Sequence, residues 1–186
     1  MNPRTLEPYF RTKKIFYTIF HSPICLIYIA STDKGICHIS LIDKGEEYFV
    51  DSLIERYSRI PVRNDGGFKL LTRDLKRYFE GYPVKFRYNT DLLEGGEFMK
   101  SVWKRLMDIP YGETRSYQWV AEQIGNPKAC RAVGYANGKN PIPIIIPCHR
   151  VIQKNGLLGG YTGGIDIKKR LLEIENNSYD KTEGII

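Results

Sequence analysis

The sequence predicts an α/β N-terminal domain followed by a mostly α C-terminal domain with a helix-turn-helix. Three observations lead there. Strand-like runs and turn signals crowd the first 45 residues. Beyond residue 97 the apolar residues recur at helical spacing. Between the two, "NTDLLEGG" (89–96) has the character of a linker. The expected domains are therefore residues 1–92 and 97–186. A chain of 186 residues with 42% hydrophobic content suffices for one ordinary domain or two small ones sharing an interface.

In order along the chain, "KIFYTIF" and "ICLIYIA" read as strands, and "ICHISLI" follows the turn "STDKG". A helix is expected over Glu46–Tyr57. A second, "FKLLTRDLKRYFEG", places Phe68, Leu71, Leu75 and Phe79 at helical spacing and stops at Gly81. "VKFRY" is expected to return to the sheet. After the linker, "EFMKSVWKRLMDIP" sets Phe98, Val102 and Leu106 on one face and ends before Pro110. Ser116 can cap a short helix through Gln123, ended by Gly125. Asn126 is expected to cap the next, with Pro127 at its first position, where a missing N–H does no harm. Two short helices joined by a Gly-Asn turn make the helix-turn-helix candidate. Residues 137–152 are rich in proline and isoleucine, so an extended, partly buried segment is expected there. "KNGLLGGYTGG" reads as a loop, and a last helix should run from near Asp166 to about Asn176.

No stretch approaches the roughly 20 apolar residues of a membrane span, and "MNPRTLEPYFRTKK" lacks a signal-peptide core. A soluble, cytoplasmic protein with no membrane partner is expected. The four cysteines contain no CxxC pair, which argues against a zinc finger and a disulfide framework. Cys25 and Cys37 with His21 and His38 fit no usual zinc spacing, and no metal or cofactor is expected. Net charge is +7, and it is localised: from Arg115 to Arg170 lie nine basic residues against two acids, so the remainder is neutral. A basic segment beside a neutral one suits a polyanion partner, or a solvated surface.

"IIIPCHRVI" (144–152) puts Cys148 beside His149 and Arg150. Positive charge favours the thiolate. Adjacent side chains rarely hydrogen-bond directly, so a bridging water is the better proton route to His149. Lys168, Leu171 and Glu175 share a face of the last helix, and Leu171 and Leu172 turn that face inward. Glu175 can then orient His149 in a Cys–water–His–Glu relay. Without such a relay Cys148 is a buried structural thiol, His149 a satisfied core histidine and Glu175 a surface residue.

The stretch "VWKRLMDIPYGETRSYQWVAEQIGNPKACRAVGYANGKNPIPIIIPCHRVI", with "GGYTGG" after it, resembles the O6-alkylguanine-DNA alkyltransferases of direct DNA repair. "NPIPIIIPCHRVI" and "RAVGYAN" carry the likeness over residues 97 to 176. "HSPICLIYIASTDKGICHISL" and "LKRYFEGYPVKF" carry it more loosely over the first half. The resemblance implies an RNase H-like N-terminal domain and irreversible transfer of an alkyl group from guanine O6, and from thymine O4, in double-stranded DNA. It implies Cys148 as acceptor, His149 and Glu175 as its relay, and Asn140 on the turn behind it. Tyr117 would give a proton to the base and contact a phosphate. Arg131 would fill the gap left by the flipped nucleotide, with Ala132, Gly134, Lys128 and Arg115 at the DNA. Val151, Tyr161, Thr162 and Gly163 would line the pocket, with Lys168 near Cys148. A monomer would act, once per molecule.

These roles make physical sense. A base in a duplex hides its O6 substituent, so the nucleotide must rotate out. Small residues in "KACRAVGYA" allow close approach to a minor groove. The chain departs from the resemblance at "GGEFMKSVW", at Tyr135, which is bulkier than usual, and at Cys130, a second thiol. Three other readings compete. A damage sensor would replace the acceptor cysteine, commonly with tryptophan. An alkylation-switched regulator would add a zinc-bound cysteine module. A Cys-His hydrolase would need an oxyanion hole, for which no glycine pattern stands out.

Overall fold

Along β2 (Leu26–Ser31) successive side chains enter two different cores. Tyr28 and Ala30 face one way, with Tyr17, Cys37, Phe49 and Leu53. Ile27 and Ile29 face the other, with Leu71, Leu75 and Tyr78. That is the two-residue period of a strand covered on both faces. The computed structural model describes residues 14–176. The expectations for the N-terminal segment and for the tail beyond Asn176 lie outside the described residues.

The sheet has the order β3-β2-β1-β4. β1 (Phe16–His21), β2 and β3 (Ile36–Ser40) are antiparallel neighbours, and β4 (Val62–Arg63) runs parallel to β1. The β2–β3 register shifts at Ala30/Ser31: Ala30 pairs with His38 and Ser31 with Ile36. Cys37 is the extra residue of this bulge. Cys37 and His38 consequently both reach α1 (Glu46–Tyr57), where His38 stacks on Phe49 at 6.0 Å. A 3-10 turn (Asp65–Phe68) leads into α2 (Lys69–Phe79) on the opposite face.

"VKFRY" does not join the sheet. Val84, Phe86 and Tyr88 are half-buried while Lys85, Arg87 and Asn89 are exposed, so the strand-like alternation is present. Its backbone lacks a ladder partner until Ile36, whose N–H donates to Asn89 O and whose C=O accepts from Asp91 N–H.

α3 (Glu97–Leu106) buries Val102, Trp103 and Leu106. Trp103 Nε1 donates to Ala136 O at 2.8 Å, fixing α3 to a later helix. Gly95 lets the linker pass over that indole: its φ is +85°, and a Cβ there would lie 2.6 Å from Trp103. α4 (Tyr117–Gln123) is capped by Ser116, whose Oγ accepts from Trp119 N–H at 3.0 Å. α5 (Cys130–Gly138) starts later than expected. Asn126 and Pro127 do not open it; they form a turn closed by Ala129 N–H onto Asn126 O at 2.9 Å. α4 and α5 still pack as the expected helix pair. β5 (Arg115–Ser116) pairs with β6 (Val151–Ile152), and α6 (Ile165–Asn176) closes the domain.

One apolar core runs through both halves, from Ile27, Ile39 and Leu75 to Trp103, Ile146 and Leu171. A backbone hydrogen bond also crosses the seam, from Ile39 N–H on β3 to Pro141 O at 2.8 Å.

Candidate active site

The expected extended segment before Cys148 is a series of tight turns. Its tip holds Ile144 at φ +73°, a left-handed conformation that a β-branched residue rarely adopts. Asn140 braces this turn from inside: Nδ2 donates to Ile146 O at 2.8 Å and Oδ1 accepts from Ile142 N–H at 3.0 Å. The chain then enters a 3-10 turn (Cys148–Arg150). Asn137 Nδ2 donates to Cys148 O at 3.3 Å. All three residues of the turn are buried.

Glu175 reaches inward from α6 and is 1% exposed. It contacts His149 through Oε1 and Nε2 at 2.7 Å. It also accepts from Arg150, Nε to Oε2 at 2.8 Å and Nη2 to Oε1 at 3.0 Å. Gly112 N–H adds 3.1 Å and the Tyr78 hydroxyl 2.7 Å. Burial pushes this carboxyl up, but His149 and then Arg150 outweigh burial and hold it at about 2. An ionised Glu175 makes Nε2 the donor, so the His149 proton sits on Nε2. Nδ1, buried and without a protein partner among the described residues, is left as the acceptor.

Burial raises the Cys148 thiol, against the opposing pull of Asn140, Lys168 and Tyr161. Burial lowers His149, against Glu175. The resting site is thus a neutral thiol beside a neutral imidazole backed by a carboxylate. Such a trio can move one proton off sulfur when an electrophile arrives. Lys168 is buried and pushed down to about 8 by burial, partly offset by Cys148. Its Nζ donates to Val151 O at 2.6 Å and to Leu158 O, tying the strand after Cys148 to the following loop.

Tyr117, at the start of α4, is half-buried. Its phenol is raised by burial and then by Cys148, so it keeps its proton. Its ring lies between Gly134 of α5 and Gly159 of the loop, where a Cβ would come within 2.9 Å of its hydroxyl. Thr162 Oγ1 donates to Gly138 O, holding that loop against α5. Tyr161 and Gly163 line a cavity of about 240 Å³ that adjoins Cys148 and extends to His38, Leu41 and Phe49 of the N-terminal half.

The other residues expected at DNA lie away from this cluster. Lys128, Arg131 and Ala132 are exposed around the start of α5. Arg115 is drawn back: its guanidinium bonds Glu113 at 2.5 Å and lies 5.5 Å from the Trp119 ring. Sequence reasoning gave no structural role to Arg150 or Tyr78. A buried arginine beside a buried histidine needs a carboxylate, and that was the available signal for Arg150. Tyr78 carried none, because its spacing from Leu71 and Leu75 is that of a core residue. Among the described residues no group of three or more His, Cys, Asp or Glu could hold a metal. No described helix is long and apolar enough to cross a membrane.

Comparison with known proteins finds two family domains along the chain. Residues 15–92 match the ribonuclease-like domain of 6-O-methylguanine DNA methyltransferase, and residues 97–177 match its DNA-binding domain. A methylated-DNA–protein-cysteine methyltransferase of Methanosarcina acetivorans is 45% identical over 88% of this chain and 99% of its own. One from Mycobacterium bovis is 54% identical over 88% and 93%. The crystal structure of Mycobacterium tuberculosis O6-methylguanine methyltransferase superposes with a TM-score of 0.77 at 40% identity, covering 88% of this chain and 94% of that one. That enzyme in complex with DNA gives 0.74 at 40% identity, covering 87% and 92%. With a buried Cys-His-Glu cluster behind a helix pair, and with these likenesses across both halves, the chain belongs to the 6-O-methylguanine DNA methyltransferase family.

Proposed function

We propose that the protein repairs DNA directly, by moving the alkyl group of O6-alkylguanine, or of O4-alkylthymine, onto Cys148 Sγ. One observation carries this reading. Glu175 fixes the tautomer of His149 so that Nδ1, buried and without a protein partner among the described residues, is the acceptor on the residue that follows Cys148.

The exposed start of α5 suits approach to a minor groove, with Ala132 and Gly134 allowing close contact and Lys128 meeting phosphate. Arg131 has the length and charge to occupy the space of a rotated nucleotide. The flipped base enters between Tyr117, Val151 and the Gly159–Gly163 loop. The thiol proton passes through a bridging water to His149 Nδ1, and Glu175 stabilises the imidazolium. Sγ bonds to the alkyl carbon as the C–O6 bond breaks. The electron pair of that bond goes to the purine, and the Tyr117 hydroxyl gives the ring a proton. Solvent later returns Tyr117 and His149 to neutral. A thioether is not readily hydrolysed, so each molecule acts once. It acts as a monomer, and the free thiols suit a reducing cytoplasm.

The test is intact mass and peptide mapping after mixing the protein with duplex DNA carrying one O6-methylguanine. One added methyl group on Cys148, capped at one per protein, is expected. Tight binding of that DNA without an adduct would favour a damage sensor.

A further inference from the structure

We propose that Tyr78, on α2 of the ribonuclease-like domain, is a positioning residue for the transfer site, acting through Glu175. This rests on the relay proposed above and adds a member from the other domain.

Tyr78 is fully buried, and its hydroxyl donates to Glu175 Oε1 at 2.7 Å. His149 Nε2 meets the same oxygen at 2.7 Å and lies 3.4 Å from the Tyr78 oxygen. With Arg150 Nη2 at 3.0 Å, three donors therefore converge on one carboxylate oxygen. Tyr78 cannot exchange roles, because burial and then Glu175 keep its phenol protonated well past the usual range. Its ring is held edge-on by Phe79 and Tyr111, and Tyr111 in turn donates to Ile174 O on α6 at 3.3 Å. The hydroxyl is thus aimed by packing rather than by chance.

The chemistry follows from what each donor removes. A carboxylate that shares its charge with more donors is a weaker base. A weaker Glu175 leaves the proton on His149 Nε2 and keeps the imidazole neutral until sulfur gives up its proton. Arg150 and Gly112 act in the same sense, but both belong to the C-terminal half. Tyr78 brings the strength of the base under the control of domain docking. Among the described residues, Tyr111 and Tyr161 also act on Glu175, and Lys168 acts on His149.

The experiment is the rate of methyl transfer from O6-methylguanine DNA against pH, in the full-length protein. Three forms are compared: wild type, Tyr78→Phe, and 3-fluorotyrosine placed at position 78 alone. Phenylalanine removes the donor, so Glu175 holds the His149 proton more strongly and the imidazole charges more easily. The acid limb should move to higher pH. The rate at its foot should fall roughly 3- to 10-fold, the equivalent of one hydrogen bond, with little change at the alkaline end. Fluorotyrosine is a stronger donor of nearly the same shape and should move the limb the other way. A uniform loss at all pH values, or shifts of the same sign in both forms, would reduce Tyr78 to packing. Absence of any adduct in wild type would instead overturn the alkyl-transfer reading. In that event the 15N shifts of His149 against pH in the same three proteins still decide the role of Tyr78.

Discussion

Arg150 and Glu175 form a two-point ion pair inside the protein, Nε to Oε2 at 2.8 Å and Nη2 to Oε1 at 3.0 Å. The third arm of the arginine, Nη1, donates to Ile109 O at 2.7 Å, just beyond α3. One side chain thus links α6, the turn after Cys148 and the end of α3. Breaking a buried pair by removing one partner leaves an uncompensated charge and costs about 3–5 kcal/mol. Arg150→Met should lower the unfolding free energy by that order, read by denaturant titration. An effect below about 1 kcal/mol would show that the pair is solvated in practice.

Acid should weaken the fold in two steps. His38 and His149 are lowered by burial, His38 to about 4. Both bind protons more readily unfolded than folded, so stability is complete above about pH 6.5 and falls as pH drops below it. Glu175 is also lowered, from 4.5 to about 2. Its contribution is present above about pH 4.5 and is lost on the way down to about 2, on the order of 3 kcal/mol. Chemical denaturation from pH 7.5 to 3 should show both steps. Glu175→Gln should remove the lower one, and a curve flat between pH 6.5 and 4 would contradict the assignment of the histidines.

Gly159 has φ +68°, and its added Cβ would sit 2.9 Å from the Tyr117 hydroxyl. Gly159→Ala should strain the loop and push Tyr117 from its place beside Cys148. Methyl transfer should slow by about tenfold or more, since small misplacements of a reacting group are costly. Overall stability should fall by only about 1 kcal/mol. Single-turnover kinetics beside thermal unfolding separates the two effects.

Arg131 is exposed at the first turn of α5. Arg131→Ala should leave the fold unchanged, because no burial is lost. The slope of log affinity for DNA against log salt should shrink by about one. Methyl transfer should fall further than binding does, because flipping also loses its filler. Equal loss in both would place Arg131 among ordinary phosphate contacts.

Much of the architecture was legible in the residues, for reasons that can be located. "ICLIYIA" is a run of strand formers, and Phe68, Leu71, Leu75 and Phe79 repeat at helical spacing, so β2 and α2 could be read directly. Ser116 announced its helix because only its own neighbours decide a cap. Asn126 and Pro127 carried the same local signal, but a separate turn used it before α5 began. Val84, Phe86 and Tyr88 had strand periodicity, yet a ladder depends on a partner that periodicity does not supply. In the site, the Glu175 end of its contact with His149 was legible because Glu175 lay on a readable helix, whereas the turn that carries His149 had been expected as extended chain. The reach of Tyr78 across the domain seam was not, since nothing local distinguishes a buried hydroxyl with a task from one in a core.

The hydrogen bond from Ile39 to Pro141, and the apolar core beneath it, have a bearing on how the molecule breathes. The sheet edge and the turn that carries Asn140 cannot separate by a simple hinge, because the seam is stitched through the backbone. Deuterium uptake should therefore find the amide of Ile39 exchanging in step with those of α2 and α3, as one cooperative unit. Parting the two halves would then mean melting the molecule, so in the folded protein the reactive sulfur meets only what reaches it through its pocket.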